Sequence, residues 1–280
     1  MMRTTNISKT HIIIRRIMVT APALLVSFSH YSKQDFIAMS DILLTQLLFI
    51  LWIGWAAFLF GGIVIGKPDA EHTRRMPHWM RMVSSLVLVI AAWGYALLHG
   101  DSLYADAAGL VAIGMMLGFI GDLFMAKLIL RSDRYIFGGI GAFGLGHIAY
   151  IAAFLTLAGR LELDASAPRW GALIALWIVG AVSWYVVVLR GADKPTTLHW
   201  AALPYALLLA TTAGLAVGLA LQNAKFIPVA LGALLFLTSD LILAARLFNN
   251  AYFRMIDDWV WLTYGPAQML IVYGVGIVMP

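Results

Sequence analysis

From about residue 43 onward, long apolar runs alternate with short polar breaks. The runs are continuous and lack the two-residue rhythm of a half-buried strand. Most are about 20 residues long, the length of a helix that crosses a bilayer. Eight membrane helices are predicted, at roughly 43–66, 82–99, 107–130, 135–158, 170–190, 199–221, 226–248 and 259–279. The connections leave no room for an inserted soluble domain, so sequential helices are expected to pack antiparallel. Residues 43–280 form one eight-span domain in this reading, and residues 1–42 stand apart. Ile12 to Phe28 is apolar but broken by Arg15 and Arg16. It reads as a poor ninth span, a signal-like segment, an interfacial helix, or a dispensable extension ahead of a start at Met39.

Composition sharpens the picture. Of 280 residues, 62% are hydrophobic and 12% charged, against about 25% charged in soluble domains. That surface requires lipid, and a backbone in lipid must satisfy its own hydrogen bonds. The expected class is an all-α polytopic membrane bundle. There are no cysteines, which excludes disulfides, thiolate nucleophiles, cysteine zinc sites and iron–sulfur clusters. The net charge of +5 falls in the loops and forms no nucleic-acid patch. One side carries eleven cations: Lys67, Arg74, Arg75, Arg81, Lys127, Arg131, Arg134, Arg190, Lys194, Arg246 and Arg254. The other carries Arg160, Arg169 and Lys225, with Lys33 ahead of the first span. The positive-inside rule then predicts that the first side is cytoplasmic and the C-terminus outside, as in a bacterial-type inner membrane.

The candidate chemistry lies inside the apolar runs. Asp122 sits in the third and His147 in the fourth. An ionisable group there is costly and by default marks a functional site facing the bundle interior. Gly114, Asp122, Leu123 and Ala126 recur 118 residues later as Gly232, Asp240, Leu241 and Ala244. A four-plus-four internal repeat is one reading of that spacing, and Asp240 is the partner it nominates for Asp122. Each aspartate lies eight residues before its predicted cytoplasmic helix end, about 12 Å deep. On the same arithmetic His147, Tyr205, Tyr264 and Gln268 lie about 8–18 Å deep. Five spans thus contribute to one layer.

Two carboxyls in a low-dielectric site titrate as a pair, so that one holds a proton while the other is ionised. Acid-catalysed cleavage of acetal-like C–O bonds uses that division of labour, and an enol ether needs the same parts. Asp122 and Asp240 are the candidate catalytic pair. His147, Tyr150, Tyr205, Ser239, Tyr264 and Gln268 are candidates for holding water or a lipid head group. There is no G-x-S-x-G elbow and no H-E-x-x-H. One well-buried histidine argues against a three-histidine zinc site. A metal held by Asp122, Asp240 and His147 stays open; otherwise no cofactor is expected. Two other readings also stay open. Buried carboxylates serve proton-coupled transporters, and a buried polar layer serves packing in a non-catalytic lipid-binding protein.

Gly121-Asp122, Phe137…Gly141…Phe143…His147…Tyr150, Pro204-Tyr205, Gly232…Phe236…Ser239-Asp240…Ala244…Phe248 and Tyr264…Ala267-Gln268 occur in this order and spacing. In this the chain resembles the YhhN-like membrane proteins, which include the lysoplasmalogenases, over about residues 43–279. The resemblance implies eight transmembrane helices and cofactor-free hydrolysis of the vinyl ether of a lysoplasmalogen. The products are a fatty aldehyde and glycerophosphocholine or glycerophosphoethanolamine. It also implies that Asp122 and Asp240 are the acidic pair. Pro266 departs from the pattern: it falls between Tyr264 and Gln268, where a proline kinks a helix.

Overall fold

A computed structural model describes residues 33–132 and 134–279. The apolar stretch between Ile12 and Phe28 lies outside the described residues. The helices are α1 (Lys33–Ile65), α2 (His78–Leu98), α3 (Ala105–Met125), α4 (Tyr135–Arg160), α5 (Ser166–Ser183), α6 (Thr197–Ala220), α7 (Ile227–Asn249) and α8 (Ile256–Val278). A π-helical turn, Trp184–Leu189, extends α5, and a 3₁₀ turn, Ala224–Phe226, leads into α7. There is no strand among the described residues, and eight helices are long and apolar enough to span a membrane. The protein is a multi-pass membrane helix bundle.

Contacts divide the chain within α1, between Leu47 and Leu48. In the first unit Thr45 bonds back to the Asp41 carbonyl at 2.8 Å, the usual threonine bond within a helix. In the second unit α2, α3, α4, α6, α7 and α8 pack in succession, and α8 closes back on α2 and α3. The fifth helix packs on α6. The core is built of small and aromatic side chains, including Ala91, Ala112, Tyr150, Phe154, Ala213 and Phe236. Large apolar residues such as Trp93, Ile148, Leu155, Ile178 and Leu231 point outward, as lipid contact requires.

The predicted spans agree with the helices within a few residues, with two differences. The first helix begins at Lys33. The third stops at Met125, short of the predicted 130, because Lys127 takes a left-handed φ of 58°. The Leu128 N–H bonds the Leu123 carbonyl (2.9 Å) and the Lys127 N–H bonds the Phe124 carbonyl (2.8 Å). This is the Schellman pattern, which ends a helix whatever apolar residues follow. Asp122 therefore lies three residues before the end of α3, while Asp240 lies nine before the end of α7. The equal spacing of the two aspartates from their helix ends does not hold, and the four-plus-four repeat is not confirmed.

At the cation-rich end, the 66–77 connection is strapped to the α7–α8 connection. Asp258, in the first turn of α8, accepts hydrogen bonds from the Arg75 N–H (2.5 Å), the Met76 N–H (3.2 Å) and the Arg81 guanidinium (2.8 Å). The Met255 and Asp257 N–H groups donate to the His72 and Thr73 carbonyls, each at 2.9 Å. Inside the strap, Asp69 accepts from the Thr73 hydroxyl and from the Thr73 and Arg74 N–H groups. Desolvation opposes the charge on Asp69. The Thr73 and Arg74 bonds and the Arg74 charge outweigh it and hold the carboxyl below its ordinary range.

Candidate functional site

The site is assembled on the glycine face of α3. A Cβ added at Gly118 would lie 2.7 Å from the Gln268 amide nitrogen, and one at Gly121 would lie 2.7 Å from the Phe143 ring. Bare backbone at these two positions lets α8 and α4 bring polar and aromatic groups flat against α3. One turn from Gly118, Asp122 is buried between three helices. Its Oδ2 accepts from the Ser85 hydroxyl of α2 (2.5 Å) and the Tyr264 hydroxyl of α8 (3.1 Å). Tyr264 in turn accepts from Gln268 Nε2 (3.2 Å), whose Oε1 accepts from the Tyr150 hydroxyl (2.7 Å). The donors run in one direction, from Tyr150 through Gln268 and Tyr264 to the Asp122 carboxylate. Gln268 is buried and bonded at both ends, so Pro266 does not take it out of place; α8 runs through the proline as one helix.

Asp240 has its own donor, the Tyr205 hydroxyl of α6. The two aspartates share the wall of a cavity of about 470 Å³, with Ser239, Tyr264 and Phe143. Basic groups from the strap and helix ends complete it: Arg74, His78, Arg81, Lys127 and Arg246. A smaller cavity of about 90 Å³ adjoins it and is almost wholly apolar, lined by residues such as Ile140, Trp184, Leu209 and Phe248. Both cavities share Met125, Phe143, Asp240, Leu243 and Leu247. Asp240 therefore stands where an apolar slot meets a polar, basic chamber. The π-helical turn contributes Trp184 and Val188 to the slot; such turns are frequent at functional sites.

His147, Tyr150 and Gln268 line neither cavity. Tyr150 and Gln268 lie behind the wall, in the chain of donors. His147 is enclosed by Phe236, Tyr205 and Tyr150, with its ring centre 4.6 Å from that of Phe236. Its Nδ1 meets the Thr212 hydroxyl at 3.1 Å. Thr212 donates its proton to the Leu208 carbonyl, so it accepts from Nδ1–H and leaves Nε2 as an acceptor. His147 Nε2 and Ser239 Oγ are buried without a hydrogen-bond partner among the described residues. No three histidine, aspartate or glutamate side chains gather at metal-binding distance among the described residues. Asp122, Asp240 and His147 do not form a ligand set.

Sequence reasoning missed Ser85, whose one signal is a pair of serines inside the apolar run of α2. It also missed Asp258 and Arg81, a buried ion pair with side chains 4% and 6% exposed. Arg81 lies inside α2, not among the loop cations where its position in the sequence suggests it, and Asp258 gives no signal beyond its place near a helix start.

No curated protein and no solved structure matches the chain. The YhhN family model matches residues 76–275, from the strap through most of α8, taking in both aspartates and every side chain that bonds them. With that range covering most of its length, the chain belongs to the YhhN family.

Proposed function

We propose that the protein is a lysoplasmalogenase-like hydrolase that cleaves the vinyl ether of a single-chain phospholipid. The observation that carries this reading is the position of Asp240 at the junction of an apolar slot and a polar chamber, with Asp122 on the wall of the same chamber. The slot suits the alkenyl chain and the chamber suits the glycerophospho-alcohol. Family membership supports the same activity.

The vinyl ether, R–CH=CH–O–R′, would lie with its β-carbon toward the slot. Asp240, which borders the slot, acts as the acid and protonates that carbon. The positive charge passes to the α-carbon and ether oxygen as an oxocarbenium ion. Asp122, with two donors on one oxygen, acts as the carboxylate: it stabilises the cation and takes a proton from the water that adds to the α-carbon. The hemiacetal then releases R–CH₂–CHO and HO–R′. One water is consumed and no electrons are transferred, so the step needs no cofactor. Under the positive-inside rule the cation-rich end, and with it the chamber, faces the cytoplasm.

The test is incubation of the purified protein with a synthetic lysoplasmalogen and with its saturated ether analogue, reading free aldehyde. Aldehyde from the vinyl ether alone is the expected result. A folded protein that releases none would overturn the reading. Proton-driven flux in proteoliposomes without chemical change in the lipid would then favour a carrier.

A further inference from the structure

Lys127 occupies a position that the fold would give to glycine. It is the C′ residue of the Schellman turn that ends α3, at φ 58°. There glycine avoids the steric cost that a Cβ brings. A lysine held at such a position is a pointer to function. A second observation says which. The Lys127 ammonium lies 4.6 Å from the centre of the Tyr135 ring, and both residues line the basic chamber. Tyr135, the first residue of α4, thus holds the cation at the wall. On the strap, Arg74 lines the same chamber. Each guanidinium there already has a carboxylate partner: Arg74 pairs with Asp69 at 3.5 Å and its Nη1 meets His78, Arg81 pairs with Asp258, and Arg246 with Asp257. Lys127 forms no ion pair among the described residues.

We infer that Lys127, with Arg74, forms a phosphate subsite that takes the phosphodiester of a single-chain lipid whose tail occupies the adjoining apolar slot. A point charge from Lys127, with the N–H groups that Arg74 has left beyond its Asp69 and His78 contacts, suits the non-bridging oxygens of a phosphodiester. Continuity of chamber and slot through Met125, Phe143 and Asp240 favours a lipid phosphate over a free one. The inference deepens the proposed function, because the site is the same, but it fails separately from it.

The test measures binding to the full chain in nanodiscs by tryptophan fluorescence, since Trp261 lines the chamber. The probes are an acyl lysophosphatidylcholine, the monoacylglycerol with the same chain, and inorganic phosphate. The lysophospholipid carries no vinyl ether, so its binding does not depend on turnover. The wild type is expected to prefer it over the monoacylglycerol by about ten- to a hundredfold, the range of a hydrogen bond to a charged group. Lys127→Gly and Lys127→Asn, both compatible with the left-handed conformation, should lose most of that preference without a lower unfolding temperature. Equal binding of the two lipids by the wild type, or full preference in both variants, would overturn the inference. So would inorganic phosphate binding as tightly as the lysolipid. A Lys127-dependent preference in a protein that releases no aldehyde would sustain the subsite and sink the hydrolase.

Discussion

The Tyr264 hydroxyl donates to Asp122 Oδ2 at 3.1 Å, joining α8 to α3 at the wall of the chamber. From α2, Ser85 donates to the same Oδ2. Two donors on one oxygen hold the carboxylate in one orientation. Ser85→Ala and Tyr264→Phe are each expected to lower aldehyde release about ten- to a hundredfold, the scale of one hydrogen bond to a charge. Steady-state rates at saturating lysoplasmalogen check this. Full activity in both variants would remove the orientation argument.

Asp122→Asn and Asp240→Asn should lower turnover about a hundred- to ten-thousandfold, as loss of a general acid or base does. Either amide keeps an oxygen to accept from the present donors, so the helical signal in circular dichroism should persist. Wild-type turnover in either variant would reject the two-carboxyl mechanism.

The Arg81–Asp258 pair ties the strap and α2 to α8. Removing one partner strands a buried charge, which costs about 3–5 kcal/mol. Asp258→Ala should therefore lower the unfolding temperature markedly, and the Arg81→Met, Asp258→Ala double variant should recover part of the loss. A double-mutant cycle with no coupling energy would show that the two act independently.

Close approach at α3 makes opposite predictions for two glycines on one helix. Gly118→Ala places a methyl against Gln268 and should cost about 1–3 kcal/mol, the range for overpacking, with lower activity. A Cβ at Gly109 meets nothing within 4 Å, so Gly109→Ala should stabilise α3 by about 0.5–1 kcal/mol. Thermal unfolding of the two variants separates close packing from generic helix propensity.

Asp69 gives the strap its own pH response. Its carboxyl is held below its ordinary value of 3.8. The stability it adds is therefore fully present above that value and is lost as pH falls through the lower folded value. Hydrogen exchange of residues 66–77 should rise as the medium is acidified below about pH 4. The difference between wild type and Asp69→Asn should shrink over the same window. A constant difference would assign the strap's order to other contacts.

Apolar run length alone was enough to give the number and approximate limits of the helices among the described residues, because such a run has few alternatives to a helix in lipid. The sequence also singled out Asp122 and Asp240, since an ionisable group is conspicuous in an apolar run. It did not determine the stop of α3, where the lysine at 127 takes a conformation that its side chain does not favour. Nor did it reveal that Ser85 reaches Asp122 across 37 residues, or that Asp258 accepts from the strap across 183 and 182. Those partners are set by the rotation and crossing of helices, which depend on where glycine lets backbones approach. The residues expected to form one layer face different ways: Asp122, Asp240 and Tyr264 line the chamber, Tyr205 lines the slot, and His147 and Gln268 line neither. Depth along a helix follows from counting at 1.5 Å per residue; the facing direction is fixed only when neighbouring helices pack against it.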